Sequence, residues 1–155
     1  MAMASSLSKY LEGKPYRGIF VPSGVGWKFN MKATSAKNLS NLEPGRGYLI
    51  DSSGNFTIEV HGKSVEFPYR LALNKGWNMI GIPFNESIGI NNVTVSAEHK
   101  RYSYSQAVDK GIISAFLWNY DGTEWSYLAK NDTLAPGKAY LVEATSDCRL
   151  EFSGA

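Results

Sequence analysis

Short stretches in which apolar and polar residues alternate dominate this chain. Cys148, Leu150 and Phe152 alternate with Arg149 and Glu151, which puts an apolar set on one face of a strand and charges on the other. Phe56, Ile58 and Val60 alternate with Thr57 and Glu59 in the same way, and Val93 and Val95 place a strand within residues 91–97. Residues 65–73 and 77–84 predict two strands joined by the tight turn Asn74-Lys75-Gly76, with Pro83 suited to a strand end. Residues 116–120 and 125–128 flank Asp121-Gly122-Thr123-Glu124 and predict a hairpin. Residues 138–143 and 148–152 predict a last hairpin. A single short helix fits residues 103–110, with Ser105 as its N-cap and Gly111 just past its end. The pattern is that of an all-β protein, mostly antiparallel and sandwich- or barrel-like, with a short helix in each of two pseudo-repeats.

The pseudo-repeats emerge when the chain is laid on itself. Leu42-Glu43-Pro44-Gly45-Arg46-Gly47-Tyr48-Leu49-Ile50 returns as Leu134-Ala135-Pro136-Gly137-Lys138-Ala139-Tyr140-Leu141-Val142, and at the same spacing Phe56 falls on Cys148 and Glu59 on Glu151. Upstream, at a slightly wider spacing, Phe20, Gly24 and Trp27 fall on Trp118, Gly122 and Trp125, and Gly13 on Gly111. Residues 1–62 therefore read as N-terminal linker residues plus a partial first unit, and 63–155 as a complete second unit. The two are expected to pack as one compact domain, in a chain cut from a longer protein.

Composition narrows the function classes. Lys and Arg number 16 against 14 Asp and Glu, a net charge of +2, and no block of one sign occurs. This argues against an electrostatic nucleic-acid binder or a polybasic membrane arm. No apolar run reaches the roughly 18 residues that read as a membrane span, and the first residues lack the pattern of a secretory signal. One Cys and 2 His leave no disulfide, no thiolate zinc site and no common His-based metal site. No cofactor motif is present: Gly45-Arg46-Gly47 begins like a phosphate loop, but the second copy has Ala139 in place of Gly47, as a turn into a strand would allow.

For catalysis, Cys148 stands on an inward strand position, where a small core residue is expected, and His61 and His99 lie in polar stretches that read as solvated loops. Glu59 and Glu151 could form a glycosidase carboxylate pair, but as repeat-equivalent outward residues they read as solubility and edge-protection devices. No catalytic residue is assigned. Trp77, Trp118, Pro44, Gly45, Tyr48, Pro136, Gly137 and Tyr140 stand at motif positions and read as structural. Trp125, Tyr127 and Trp27 are the aromatic residues that could instead stack on sugar rings. Asn38, Asn55, Asn85, Asn92 and Asn131 each begin an Asn-x-Ser/Thr triplet, where chance placement would give roughly one or two, and they are the glycosylation candidates.

Three motifs in order, Gly76-Trp77-Asn78-Met79-Ile80-Gly81-Ile82-Pro83, Trp118-Asn119-Tyr120-Asp121-Gly122 and Leu134-Ala135-Pro136-Gly137-Lys138-Ala139-Tyr140, resemble repeat modules of archaeal and bacterial cell-surface proteins. Those modules carry a GWNLIGIP-type strand, a WxYDG hairpin and an LxPGKGYW-type strand. Ala139 departs from the usual glycine, Leu49 and Leu141 replace a common Trp, and the first copy has no Gly-Trp-Asn strand. The first copy is therefore either truncated or completed by strands from elsewhere. The resemblance implies a non-catalytic structural or interaction module of an extracellular, S-layer-like glycoprotein. Its partners would be other copies or domains of a surface protein, with cell-wall or surface glycans as further partners. The alternative is a carbohydrate-binding module of a larger extracellular protein or enzyme.

Overall fold

A computed structural model describes residues 11–34, 44–57, 65–129 and 131–153. Within them the chain is mostly antiparallel β. In the first copy, strands β1 (Tyr16–Ser23), β2 (Asn30–Thr34) and β3 (Leu49–Ser52) form a sheet in the order β2-β1-β3. The second copy supplies β4 (Tyr69–Leu73), β5 (Gly76–Gly81), the short β6 (Ile88–Gly89), β7 (Val93–Ala97), β8 (Lys100–Ser103) and a helix, Tyr104–Asp109. Strands β9 (Leu117–Tyr120), β10 (Trp125–Leu128), the short β11 (Thr133–Leu134), β12 (Ala139–Ala144) and β13 (Cys148–Phe152) follow. They build two open four-stranded sheets, β10-β9-β12-β5 and β4-β13-β7-β8, and a two-stranded one, β11-β6.

The inward sets of the two four-stranded sheets meet in one core. Ile80, Leu117, Tyr140 and Val142 come from one sheet and Leu71, Val95, Leu150 and Phe152 from the other, all buried in a single cluster with Tyr104 and Ala107 of the helix. Each such side chain contributes roughly 1.5–3 kcal/mol on burial. The arrangement is a sandwich and not a closed barrel. In the first copy a smaller core joins Leu11 and Ile19 with Tyr16, Tyr48, Ile50 and Phe56. Tyr48, Ile50 and Phe56 are the repeat counterparts of Tyr140, Val142 and Cys148 in the main core.

The second-copy strands that alternation predicts form, the first of them only from Tyr69, but two pairings differ. The strands at 138–143 and 148–152 are not a hairpin: β12 pairs with β5 and β9, while β13 pairs with β4 and β7. Likewise β4 and β5 lie in different sheets although a tight turn joins them. Both connections cross the sandwich, side by side, and Lys75 N donates to Asp147 Oδ1 at 2.8 Å between them. Asn78 holds the first corner. Its buried amide donates to the Asn74 and Gly76 carbonyls at 2.9 and 3.1 Å, and its Oδ1 accepts from Asn74 N at 3.2 Å.

The helix starts one residue after Ser103, so Ser103 and not Ser105 is the N-cap. Gln106 N donates to Ser103 Oγ at 3.1 Å and Ser103 N to Gln106 Oε1 at 3.0 Å, a reciprocal capping box. The helix expected in the first copy falls mostly upstream of Leu11, outside the described residues, as do residues 58–60 of the strand expected at 56–60, whose described residues Phe56 and Thr57 are not in a strand. Glu151 corrects another expectation. It points away from the core yet is 5% exposed, because Arg70 Nε at 2.8 Å and the Arg101 guanidinium both donate to its carboxylate.

The first copy completes its sheet with β5. Along one edge β5 pairs with β12; along the other, Trp77 N donates to Gly24 O at 3.1 Å, Gly47 N to Met79 O at 3.0 Å and Gly81 N to Gly45 O at 2.9 Å. Each residue of the Gly-Trp-Asn motif thus has a physical duty. Gly76 has φ +110° and passes so close to Gly24 that a Cβ would lie 2.5 Å from its carbonyl oxygen. Trp77 Nε1 donates to Gly26 O at 3.0 Å while its ring meets Phe29 edge-on at 5.2 Å. Asn78 fixes the corner.

Candidate functional site

The hairpin β9-β10 carries an unusual outer face. Phe116, Trp118 and Tyr120 alternate with Leu117 and Asn119, so the three rings share the side opposite the buried Leu117. Register sets Trp125 against Tyr120 and Tyr127 against Trp118, which adds two rings to the same face. Tyr127 is 58% exposed, with Phe116, Trp125 and Tyr120 also exposed and Trp118 half-buried. The rings interlock instead of lying flat: Phe116 and Tyr127 meet at 73°, Trp118 and Tyr127 at 62°, and Tyr120 and Trp125 at 38° with centroids 5.0 Å apart. Such edge contacts stabilise an aromatic cluster. None of the contacting pairs is coplanar, as a sugar stacked across two adjoining rings would need.

Asp121 closes the hairpin. Its Oδ1 accepts from Thr123 N at 2.8 Å, Glu124 N at 2.9 Å and Thr123 Oγ1 at 2.9 Å, and these donors hold its carboxyl below the usual carboxylate range. The loop therefore has four residues pinned by an Asx cap, with Tyr120 and Trp125 fixed at its base. Beside them lies a groove of about 440 Å³. Asn119, Tyr120, Asp121 and Trp125 form one wall, residues 137–139 another, and Tyr48 and Leu49 of the first copy face them across Met79.

The remaining predicted residues distribute as follows. Trp77 and Trp118 are half-buried, Tyr140 is buried, and Ala135 N donates to its hydroxyl at 2.8 Å. Pro44 O accepts from Tyr69 Oη at 2.8 Å, and Gly45 and Gly137 share the left-handed backbone, φ +87° and +79°. Pro136 and Tyr48 are half-buried. Trp27 lies in a 3-10 turn, Gly26–Lys28, and its side chain is outside the described residues. Asn55, Asn85, Asn92 and Asn131 are exposed; Asn38, Glu59 and His61 are outside the described residues.

Cys148 of β13 and His99 of the β7-β8 turn both line a second groove, but the thiol is not activated. Burial, and after it the nearby Asp147, pushes its pKa up to about 11. Among the described residues no three His, Cys, Asp or Glu side chains gather as metal ligands, and no helix is long and apolar enough to cross a membrane.

Phe116 and Tyr120 escaped the sequence reading of exposed aromatics. The signal was available, since both keep the Phe-x-Trp-x-Tyr alternation of one face. No protein-family model, curated protein or solved structure matches this chain.

Proposed function

We propose that this chain is a non-catalytic structural and interaction module of an exported, S-layer-like cell-surface protein. The observation that carries the reading is the interlocked, solvent-facing aromatic ribbon on β9-β10, beside a groove in which Asn119, Tyr120 and Asp121 are engaged in turn and strand hydrogen bonds. A patch of this kind marks an interaction surface. The internal repeat, the likeness to cell-surface repeat motifs and the four exposed sequon asparagines support the exported location. Other copies or domains of a surface protein are the partners that suit an apolar face of this kind.

A carbohydrate-binding module is the second reading, favoured by Trp125 and Tyr120 beside Asp121 and Lys138 in one groove. The 38° between the two rings counts against it. Fractionation of the source cells with intact-mass measurement tests the first reading: a glycan-bearing, envelope-associated protein is expected, and an unmodified cytosolic one refutes it. Retention on polysaccharide in affinity gels, lost in Trp125→Ala, would favour the second.

A further inference from the structure

In the first copy a cleft opens between the end of β1 and the segment 45–47, and β5 fills it. Gly24, Gly45 and Gly47 supply the backbone partners, and Arg46 bridges antiparallel to Ile80. The second copy has the same two walls. Residues 119–122 and 137–139 are the counterparts of 21–24 and 45–47. Their strands run in the same register, Leu141 facing Trp118 as Leu49 faces Phe20. Gly122 and Gly24 share the left-handed backbone, φ +103° and +89°.

Between these walls lies the groove of about 440 Å³. Side chains of the same hairpin stand in for strand contacts here: Tyr120 Oη donates to Gly122 O and Asn119 Nδ2 to Ala139 O, both at 3.0 Å. In the first copy the carbonyl matching Gly122 O instead receives Trp77 N. Such side-chain bonds exchange for backbone ones at little cost. The hairpins beside the two clefts differ in length of turn: Tyr127 of β10 faces Trp118, where Ala33 of β2 faces the matching Phe20, and the ring that packs on Trp77, Phe29, belongs to the longer first-copy turn.

We propose that this groove docks the Gly-Trp-Asn strand of a further module, antiparallel to residues 137–139 and in the register of β5, so that modules join head to tail by strand addition. The proposal rests on the reading of the chain as an interaction module and names the partner of that site. It predicts Lys138 opposite the residue at the Ile80 position. In the first copy Arg46 and Ile80 form such a pair, flanked by the bonds Gly47 N to Met79 O and Gly81 N to Gly45 O. An antiparallel pair of this non-hydrogen-bonded kind brings Cα atoms to about 4.5 Å, within the span of a disulfide.

The test uses the full chain with the exposed Lys138→Cys, Cys148 staying buried, and a synthetic peptide of residues 74–83 carrying Ile80→Cys. Disulfide formation under mild oxidation is followed by mass spectrometry and peptide mapping. Cross-linking to position 138 should run at least about tenfold faster than for a peptide carrying Gly81→Cys instead, whose thiol points to the other face, or for a scrambled sequence. Equal rates for the three peptides overturn the proposal. So does an NMR titration of the unmodified chain in which soluble oligosaccharide, and not the peptide, shifts the Gly122 and Ala139 amides. Either failure leaves the cell-surface reading to its own test, fractionation and mass.

Discussion

Gly47→Ala probes the seam between the two copies. Gly47 has no left-handed φ to protect, so its conformation tolerates a side chain. The obstacle is steric: a Cβ would stand 2.8 Å from the Ala139 Cβ and 2.8 Å from Met79 Cγ. Met79 can rotate away, but the Ala139 methyl is fixed to its strand. Overpacking of this kind costs about 1–3 kcal/mol, offset by the ~0.4–1 kcal/mol that Gly→Ala gains by restricting the unfolded chain. The net expected loss is roughly 0.5–2 kcal/mol. Ala139→Gly alone should lose about 1 kcal/mol through strand entropy and one buried methyl. In the double variant the clash with the Ala139 methyl disappears and the Ile80 carbonyl oxygen, at 3.3 Å, is the fixed contact left, so its loss should fall short of the sum by about 1 kcal/mol. Urea unfolding followed by tryptophan fluorescence, with unchanged m-values, measures all three. A Gly47→Ala variant more stable than the parent, or losses additive within ~0.5 kcal/mol, would refute the close seam.

Three further outcomes follow from the site chemistry. Removing both guanidinium partners of Glu151 (Arg70→Ala with Arg101→Ala) takes away two charge-assisted hydrogen bonds and also the partly exposed side chains that shield the carboxylate, so water reaches it. That should cost about 1–3 kcal/mol in urea unfolding, less than a charge stranded in the core would; no measurable loss refutes the triad. Cys148, with its pKa pushed up to about 11, should react with a disulfide reagent at pH 8 about a hundredfold slower than an unfolded thiol, and labelling at the free-thiol rate would contradict its burial. Asp121 is held below its usual 3.8, so its cap contributes above that value and is lost as pH falls through the lower folded value. The Thr123 and Glu124 amide shifts should titrate with a midpoint under 3.8; a midpoint at or above it rules the cap out.

Alternation in the sequence made the strand faces legible: Val93, Val95, Leu150 and Phe152 are all core residues. It does not encode which strand lies alongside. The two- and three-residue connections after β4 and β12 look like hairpin turns, and only the Asn78 corner bonds and the Lys75–Asp147 contact reveal that they cross between sheets. Glu151 shows the same limit. Period two correctly points it outward, but its burial comes from Arg70 on the neighbouring strand β4 and Arg101 on β8, two strands away on the other side. The Ser103-x-x-Gln106 capping box was readable from spacing alone, and taking Ser105 as the cap overlooked it. For the site, exposure of Trp125 and Tyr127 follows from their place beside a polar turn. The involvement of β5 with both copies does not follow from any local pattern, because its second edge is closed by residues distant in sequence.

The seam also gives the repeat a direction. Where the first copy has Gly47, the second has Ala139, and the Ala139 methyl is what Gly47 rests on. A strand entering the second groove in the register of β5 would bring its Met79-equivalent against a methyl in place of a hydrogen. A small residue there is favoured, and so is glycine at the position equivalent to Ala139 in the module behind it. Two modules identical to this one would therefore fit each other less well than the first copy fits the second. A contact between unlike surfaces propagates instead of closing on itself unless its rotation happens to form a ring. If modules join in this way, the single-methyl difference at this seam would favour a fixed order among them, because it penalises the wrong neighbour without weakening the backbone hydrogen bonds that join the right one.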